Sequence, residues 1–157
     1  MLRLVPITCA VVLAVGSGGC GESDVSEADF QADVVAARND ADSGLEQIVQ
    51  ATSVEDLLER MRLAAIDVRG AASDVREAGA PEELEDERDA LAARLLALSD
   101  EIIATVDTLE AFPEQAQNTN ALNFAQWNAV QAELKKLRRQ GIEVPPLERH
   151  KPEIQRQ

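Results

Sequence analysis

The chemically most distinctive part of the chain is a stretch without charged residues from residue 115 to residue 132. It combines side-chain amides with two aromatic rings, and the candidate ligand-binding residues are Asn120, Asn123, Phe124, Trp127 and Asn128. Amides hydrogen-bond to hydroxyl groups and a ring offers an apolar face, so this combination suits a glycan or a small polar ligand. The competing interpretation is that Phe124 and Trp127, three residues apart, fill a helical core while the amides face solvent.

Other residues that could do chemistry are few, and none has the spacing of a catalytic or metal site. The one histidine, His150, has no acidic or cysteine partner at a ligand spacing, and the chain lacks the Glu-x-x-His pairs of di-iron bundles. The segment from Asn39 to Gly44 fails as a calcium loop, because alanine and serine fall at ligand positions. We therefore expect no metal, no cofactor and no enzymatic activity.

The N-terminus has the organisation of a secretory signal peptide. Arg3 precedes an apolar run over residues 4–15, which is too short for a bilayer-spanning helix of about 20 residues. Gly18 and Gly19 then lead directly into Cys20 and a polar segment. This pattern resembles the lipobox of bacterial lipoproteins, in which that cysteine is acylated through its sulfur and becomes the new N-terminus.

The resemblance implies that Cys20 is the lipid attachment site, carrying palmitate-type acyl chains. The protein would then be exported and anchored to the outer face of the cytoplasmic membrane or elsewhere in the cell envelope. The family usually has Leu, Val or Ile three residues before the cysteine, where this chain has Ser17. Cys9 would be removed with the signal, so the mature chain would keep no free thiol for catalysis. The alternative is an ordinary cleaved signal with an incidental cysteine.

The charge distribution argues against nucleic acid as a partner. The chain has 29 acidic and 15 basic residues, for a formal charge of −14, which phosphate backbones repel. The densest acidic cluster lies over residues 82–89 and a basic cluster over residues 135–139, and both suit the ends of helices on which we expect them. The basic cluster could also contact anionic lipid headgroups beside an anchor.

Apolar residues recur at steps of three and four over four segments, which predicts an all-α fold. The predicted helices start at Ser26, at Thr52 or Ser53, at Pro81 and at Pro113. Gly79 and Gly141 are expected to end the second and fourth in a left-handed conformation. The apolar positions that define the helices are Phe30, Val34, Ala37, Ala41, Leu45, Ile48, Val54, Leu58, Met61, Ala65, Val68, Ala72, Val75, Leu84, Leu91, Leu95, Leu98, Ile102, Leu109, Trp127, Val130, Leu134 and Leu137.

Short links between long helices predict an antiparallel up-down four-helix bundle or long helical hairpins. The predicted organisation is a signal peptide at 1–19, a lipidated tether at 20–25, a helical bundle at 26–142 and a disordered tail at 143–157, where prolines interrupt a segment of low apolar content. We expect a membrane-anchored interaction or structural module with a helical protein partner. The alternative is an envelope protein that binds a cell-wall glycan or small polar ligand through the uncharged stretch.

Overall fold

The computed structural model describes residues 25–117 and 122–149, and all regular structure in these ranges is helical. Two short 3₁₀ segments, Glu82–Leu84 and Pro113–Gln117, flank the third helix. The four α-helices are α1 (Glu27–Val49), α2 (Val54–Glu77), α3 (Glu85–Ala111) and α4 (Ala125–Arg139). The predicted all-α architecture with four helices is confirmed.

The first two helices begin at serine caps, Ser26 as predicted and Ser53 as one of the two predicted starts of the second helix. The Ser26 and Ser53 hydroxyls each accept a hydrogen bond from a backbone N–H three residues on, at 3.1 Å. At the start of α2, the Asp56 carboxylate also accepts from the Thr52 backbone N–H at 2.8 Å and pairs with Arg60. The Thr52 N–H and the Arg60 guanidinium hold the pKa of Asp56 below its usual value. The contribution of this carboxylate to the cap is therefore lost only as the pH falls through that lowered pKa.

Nearly all predicted core positions are buried in one apolar core shared by the four helices. α2 packs against both α1 and α3, and α4 packs against α3. The exceptions are Val54, which is 39% exposed in the first turn of α2, and Leu58 and Trp127, which are half-buried. One polar group, Ser99, lies fully inside, and its hydroxyl donates to the Ala65 carbonyl at 2.8 Å. This bond joins α2 to α3 without leaving the buried hydroxyl unsatisfied.

α1 runs without a break through the segment of poor helix formers from Asn39 to Gly44, where the sequence suggests a kink. The reason is packing, because Gly44 is buried at a point where α1 lies directly against α2. A Cβ atom at Gly44 would lie 2.9 Å from the Cβ of Asp67 and 3.4 Å from the Cα of Ala64. The glycine is therefore needed for the approach of the two helices.

The predicted start of the fourth helix at Pro113 is wrong. Residues Pro113–Gln117 form a 3₁₀ turn, and α4 begins only at Ala125. Its first backbone N–H groups, those of Ala125 and Gln126, both donate to the Glu101 carboxylate of α3 at 2.8 Å. A side chain from another helix thus supplies the N-terminal cap of α4, where the negative charge also suits the helix dipole.

Of the two expected glycine ends, the structure confirms one. Gly141 has a φ of +98°, its N–H bonds to the Arg138 carbonyl at 3.3 Å, and the Ile142 N–H bonds to the Leu137 carbonyl at 3.1 Å. These two bonds form a Schellman motif. Gly79 does not adopt a positive φ, so its predicted left-handed cap is wrong. It lies instead against Val25, whose side chain would be 2.7 Å from an added Cβ.

Residues 142–149, here called the C-terminal strap, correct the predicted boundary of the tail at residue 143. Ile142, Val144 and Leu147 are buried in the core, so this segment is a packed part of the domain. The rest of the predicted tail, residues 150–157, lies outside the described residues. So do the predicted signal peptide and most of the predicted tether, since the description begins at residue 25.

The strap bridges the first and last helices through backbone hydrogen bonds. Toward α1, the Pro146 carbonyl accepts from Arg38 Nε at 2.9 Å, and the backbone N–H groups of Glu143 and Glu148 donate to Gln31 and Asp42, each at 2.7 Å. Toward α4, the Leu147 and Val144 carbonyls accept from Gln131 and Arg138, the latter at 3.0 Å. The strap therefore closes the bundle between α1 and α4.

Candidate functional site

The predicted ligand-binding residues divide between the core and the surface. Phe124 is only 8% exposed and packs in the core, as the competing interpretation expects. Trp127 is half-buried, and Asn123 and Asn128 are exposed. Asn120 and the proposed lipid attachment site, Cys20, lie outside the described residues. The structure thus brings Asn123, Phe124 and Trp127 to one place and leaves Asn128 on the surface of α4.

A small cleft, here called the Trp127 cleft, lies between α4, the end of α1 and the strap. Apolar side chains form much of its wall, with polar groups from Asn123 and the end of the strap, and the lining residues are Leu45, Ile48, Val49, Leu122, Asn123, Phe124, Trp127, Glu148 and Arg149. Its volume is about 50 Å³. This volume holds water molecules but is well below the roughly 300 Å³ at which pockets for drug-sized ligands begin.

Arg149 accounts for part of this small volume. Its guanidinium carbon lies 4.7 Å from the centroid of the Trp127 ring, a cation–π contact, and its Nη2 donates to Asn123 Oδ1 at 3.4 Å. One face of the ring is therefore occupied by a side chain of the protein itself. A sugar could stack on that face only after Arg149 had moved away.

A second candidate site is an open depression on the outer side of the first two helices, here called the α1–α2 groove. Its volume is about 410 Å³, and it is lined by Asp40, Ser43, Ile66, Asp67, Gly70, Ala71 and Asp74. Gly70 widens the groove, since no other atom lies within 4 Å of the position that a Cβ would take. Three of the lining residues are aspartates and none is a cation, so the groove combines apolar and acidic surface.

Two large apolar side chains lie on the solvent face of α2 beside this groove. Ile66 is 64% exposed and Leu63 is 46% exposed, and together with Gly70 they follow the spacing i, i+3, i+7 of one helix face. We call these three residues the α2 stripe. Two exposed large apolar side chains on one helix face form a small apolar patch, so the stripe is a candidate for a protein contact.

The two edges of the α2 stripe differ in charge. On the α3 edge, Arg62 pairs with Glu110, and Arg69 pairs with Asp100 at 2.6 Å, so positive and negative charges balance. On the α1 edge, the aspartates of the groove form no ion pair with any residue in the described ranges. The exposed face of α2 is therefore acidic on one side only.

The basic cluster at the end of α4 has partners within the fold. Lys136 pairs with Glu133 at 2.8 Å, and Arg138 holds the strap through the Val144 carbonyl. Lys135 and Arg139 are exposed in the last turns, where cations suit the helix dipole. The cluster thus has a structural role that needs no ligand.

Among residues 25–117 and 122–149, no group of three or more His, Cys, Asp or Glu side chains is arranged to hold a metal ion. No helix in these ranges has the length and apolar character required to cross a bilayer. Comparison with protein-family models, curated proteins and solved structures yields no match.

Proposed function

We propose that this chain is a lipid-anchored helical protein of the bacterial cell envelope that acts as an interaction module without catalytic activity. The anchor is inferred from the signal-like N-terminus that ends in Cys20. The single structural observation behind the interaction role is the α2 stripe, since Leu63 and Ile66 are two large apolar side chains exposed on the same face of one helix. A protein partner would cover this stripe.

The anchor is tested by replacing each cysteine in turn. We expect the wild-type chain to fractionate with membranes and to yield an N-terminal peptide whose Cys20 carries a diacylglyceryl thioether, detectable by mass spectrometry. Cys20→Ser removes the acceptor sulfur and is expected to abolish both properties. Cys9→Ser is the matched control, because Cys9 would leave with the signal, and it should behave as wild type. Recovery of the intact precursor, including Met1, from the cytosol would disprove the anchor.

A second candidate function is binding of a glycan fragment or small polar ligand at the Trp127 cleft, in which case the anchored chain would contact the cell wall. The observation that favours it is a half-buried indole beside the Asn123 amide, over an apolar wall. This pair offers ring stacking together with a hydrogen-bond donor and an acceptor. Arg149 would have to leave the ring face to admit the ligand.

Fluorescence of Trp127, the single tryptophan of the chain, tests this second function. We expect soluble peptidoglycan fragments to shift its emission, and Arg149→Ala to tighten their binding by about two- to fivefold, because it removes the internal occupant of the ring face. Arg139→Ala is the control for loss of an exposed cation at the opposite end of α4, away from the cleft. Emission that does not respond in the wild type or in Arg149→Ala would exclude the cleft as a glycan site.

A further inference from the structure

We propose that the α1–α2 groove binds a basic amphipathic helix of a partner protein, an inference that rests on the interaction role proposed above. The groove is an open depression lined by residues of α1 and α2, with its large apolar lining residue, Ile66, on α2, and such a surface suits helix-in-groove recognition. The α2 stripe and the α2 side of the groove, from Leu63 to Asp74, together measure about 16 Å at 1.5 Å per residue. A helix of about three turns matches that length.

The apolar part of the contact comes from the α2 stripe. Leu63 and Ile66 project from one face of α2, and Gly70 leaves open space one turn further on. A large side chain of the partner could occupy that space without displacing any atom of this protein. The stripe therefore supplies two apolar contacts and one recess, and a partner helix would meet them with apolar residues at i, i+3 or i+4, and i+7.

The charge of the partner follows from the edge of the groove. Asp40 projects from α1, and Asp67 and Asp74 project from α2, so carboxylates from both helices border the apolar surface. None of the three is paired with a cation in the described part of the chain. Lys or Arg side chains beside the apolar face of a partner helix would neutralise them, and such complementarity favours specific and rapid association.

The same charges disfavour an anionic membrane as the occupant. Negatively charged lipid headgroups attract basic segments and repel a surface bordered by three aspartates. A second copy of the chain would have to present a basic apolar helix, whereas the basic turns of α4 carry exposed charge without exposed large apolar residues in the described ranges. A basic helix of another protein is therefore the occupant that fits both the apolar and the charged parts of the groove.

Peptide binding tests the chemistry of the groove directly. The probe is a fluorescein-labelled amphipathic helix of about 14 residues built from Leu and Lys, and the control probe has Glu in place of Lys. We expect the wild-type protein to bind the Lys peptide, with affinity that falls as salt rises, and not to bind the Glu peptide. Ile66→Ser should weaken binding about tenfold through loss of apolar contact.

The double variant Asp40→Asn/Asp74→Asn should weaken binding of the Lys peptide about fivefold, through loss of two ion pairs. The matched control is Asp86→Asn/Asp107→Asn, which removes the same charge from exposed positions of α3. Equal weakening by both double variants, or equal binding of the Lys and Glu peptides, would overturn the proposal, because binding would then follow net charge or apolarity alone. Concentration-dependent dimers that Ile66→Ser dissociates would also overturn it, in favour of a second copy.

Crosslinking in membranes separates this inference from the proposed function. A photoreactive residue at position 63 is expected to crosslink to a partner protein, one at exposed Arg94 on α3 is not, and Asp40→Asn/Asp74→Asn should lower the yield of the product at 63 about fivefold. An undiminished yield in the double variant would overturn the basic-helix inference and leave the interaction role standing. Absence of any product at position 63 would contradict both.

Discussion

Replacing Leu147 with aspartate is expected to lower the free energy of unfolding by about 3–5 kcal/mol, the largest effect of any single change considered for this protein. Leu147 belongs to the strap, and its side chain is buried in the core beside Val34 and Val130. A carboxylate cannot remain ionised there, so the strap would detach and expose Val144 as well. The loss of stability can then be no larger than the free energy with which the strap docks on the rest of the bundle.

The measurement is urea or thermal unfolding followed by circular dichroism, with an expected fall in Tm of about 10–20 °C. Pro145→Asp is the matched control, since it adds the same charge to an exposed position of the strap and should change the stability little. Equal stability of Leu147→Asp and wild type would show that residues 142–149 do not hold the bundle together.

Gly44→Leu is expected to destabilise the protein by about 2–3 kcal/mol, although leucine is the better helix former. The Cβ alone would lie 2.9 Å from the Asp67 Cβ, and the rest of the side chain would have to force α1 away from α2. The apolar contacts that surround this crossing, including those of Ala41 and Ala64, would loosen with it.

Gly70→Leu provides the matched control for Gly44→Leu, because it makes the same substitution within α2 where no atom lies within 4 Å. We expect a gain of up to about 1 kcal/mol from helix propensity alone. Opposite signs for the two variants, measured by urea unfolding at low protein concentration, would show that packing at the helix crossing decides the effect. A gain in stability for Gly44→Leu would contradict the close approach of α1 and α2.

The helices and their buried faces could be predicted because the apolar residues of each helix recur at steps of three and four along the chain. The positions from Phe30 to Ile48 in α1 and from Leu91 to Leu109 in α3 are buried as the pattern indicates. Local signals also predicted the cap at Ser26, a start of the second helix at Thr52 or Ser53, and the Schellman end at Gly141, since the interacting atoms lie within a few residues.

What the pattern missed depends on contacts between distant parts of the chain. α4 begins at Ala125 because Glu101 of α3 caps it, and no local motif encodes a cap that lies 24 residues away. The strap looked like a free tail because its few apolar residues stand among prolines. Their role becomes visible only when α1 and α4 form the surface on which Val144 and Leu147 pack.

In the candidate sites, too, local features could be predicted from the sequence and features that depend on tertiary packing could not. The sequence identified the aromatic and amide residues around Trp127, but the position of Arg149 over the ring could not be predicted from their spacing. It did not indicate the α1–α2 groove, since Leu63 and Ile66 are ordinary apolar helix residues until the packing of α1 and α3 on either side of α2 leaves them exposed. Lipid attachment at Cys20 and the function stay predictions that the experiments above decide.

The way in which the strap closes the bundle has a consequence for the order of assembly. α1 with α2, α2 with α3, and α3 with α4 are neighbours in sequence, so these pairs can form by rapid local search as the chain emerges from N- to C-terminus. The hydrogen bonds between the strap and α1 join residues 106 to 112 positions apart. Because such long loops are the slowest to close, we expect the strap to dock after the helix pairs have formed, so a chain that is still leaving the ribosome stays open between α1 and α4 until residues 142–149 have emerged.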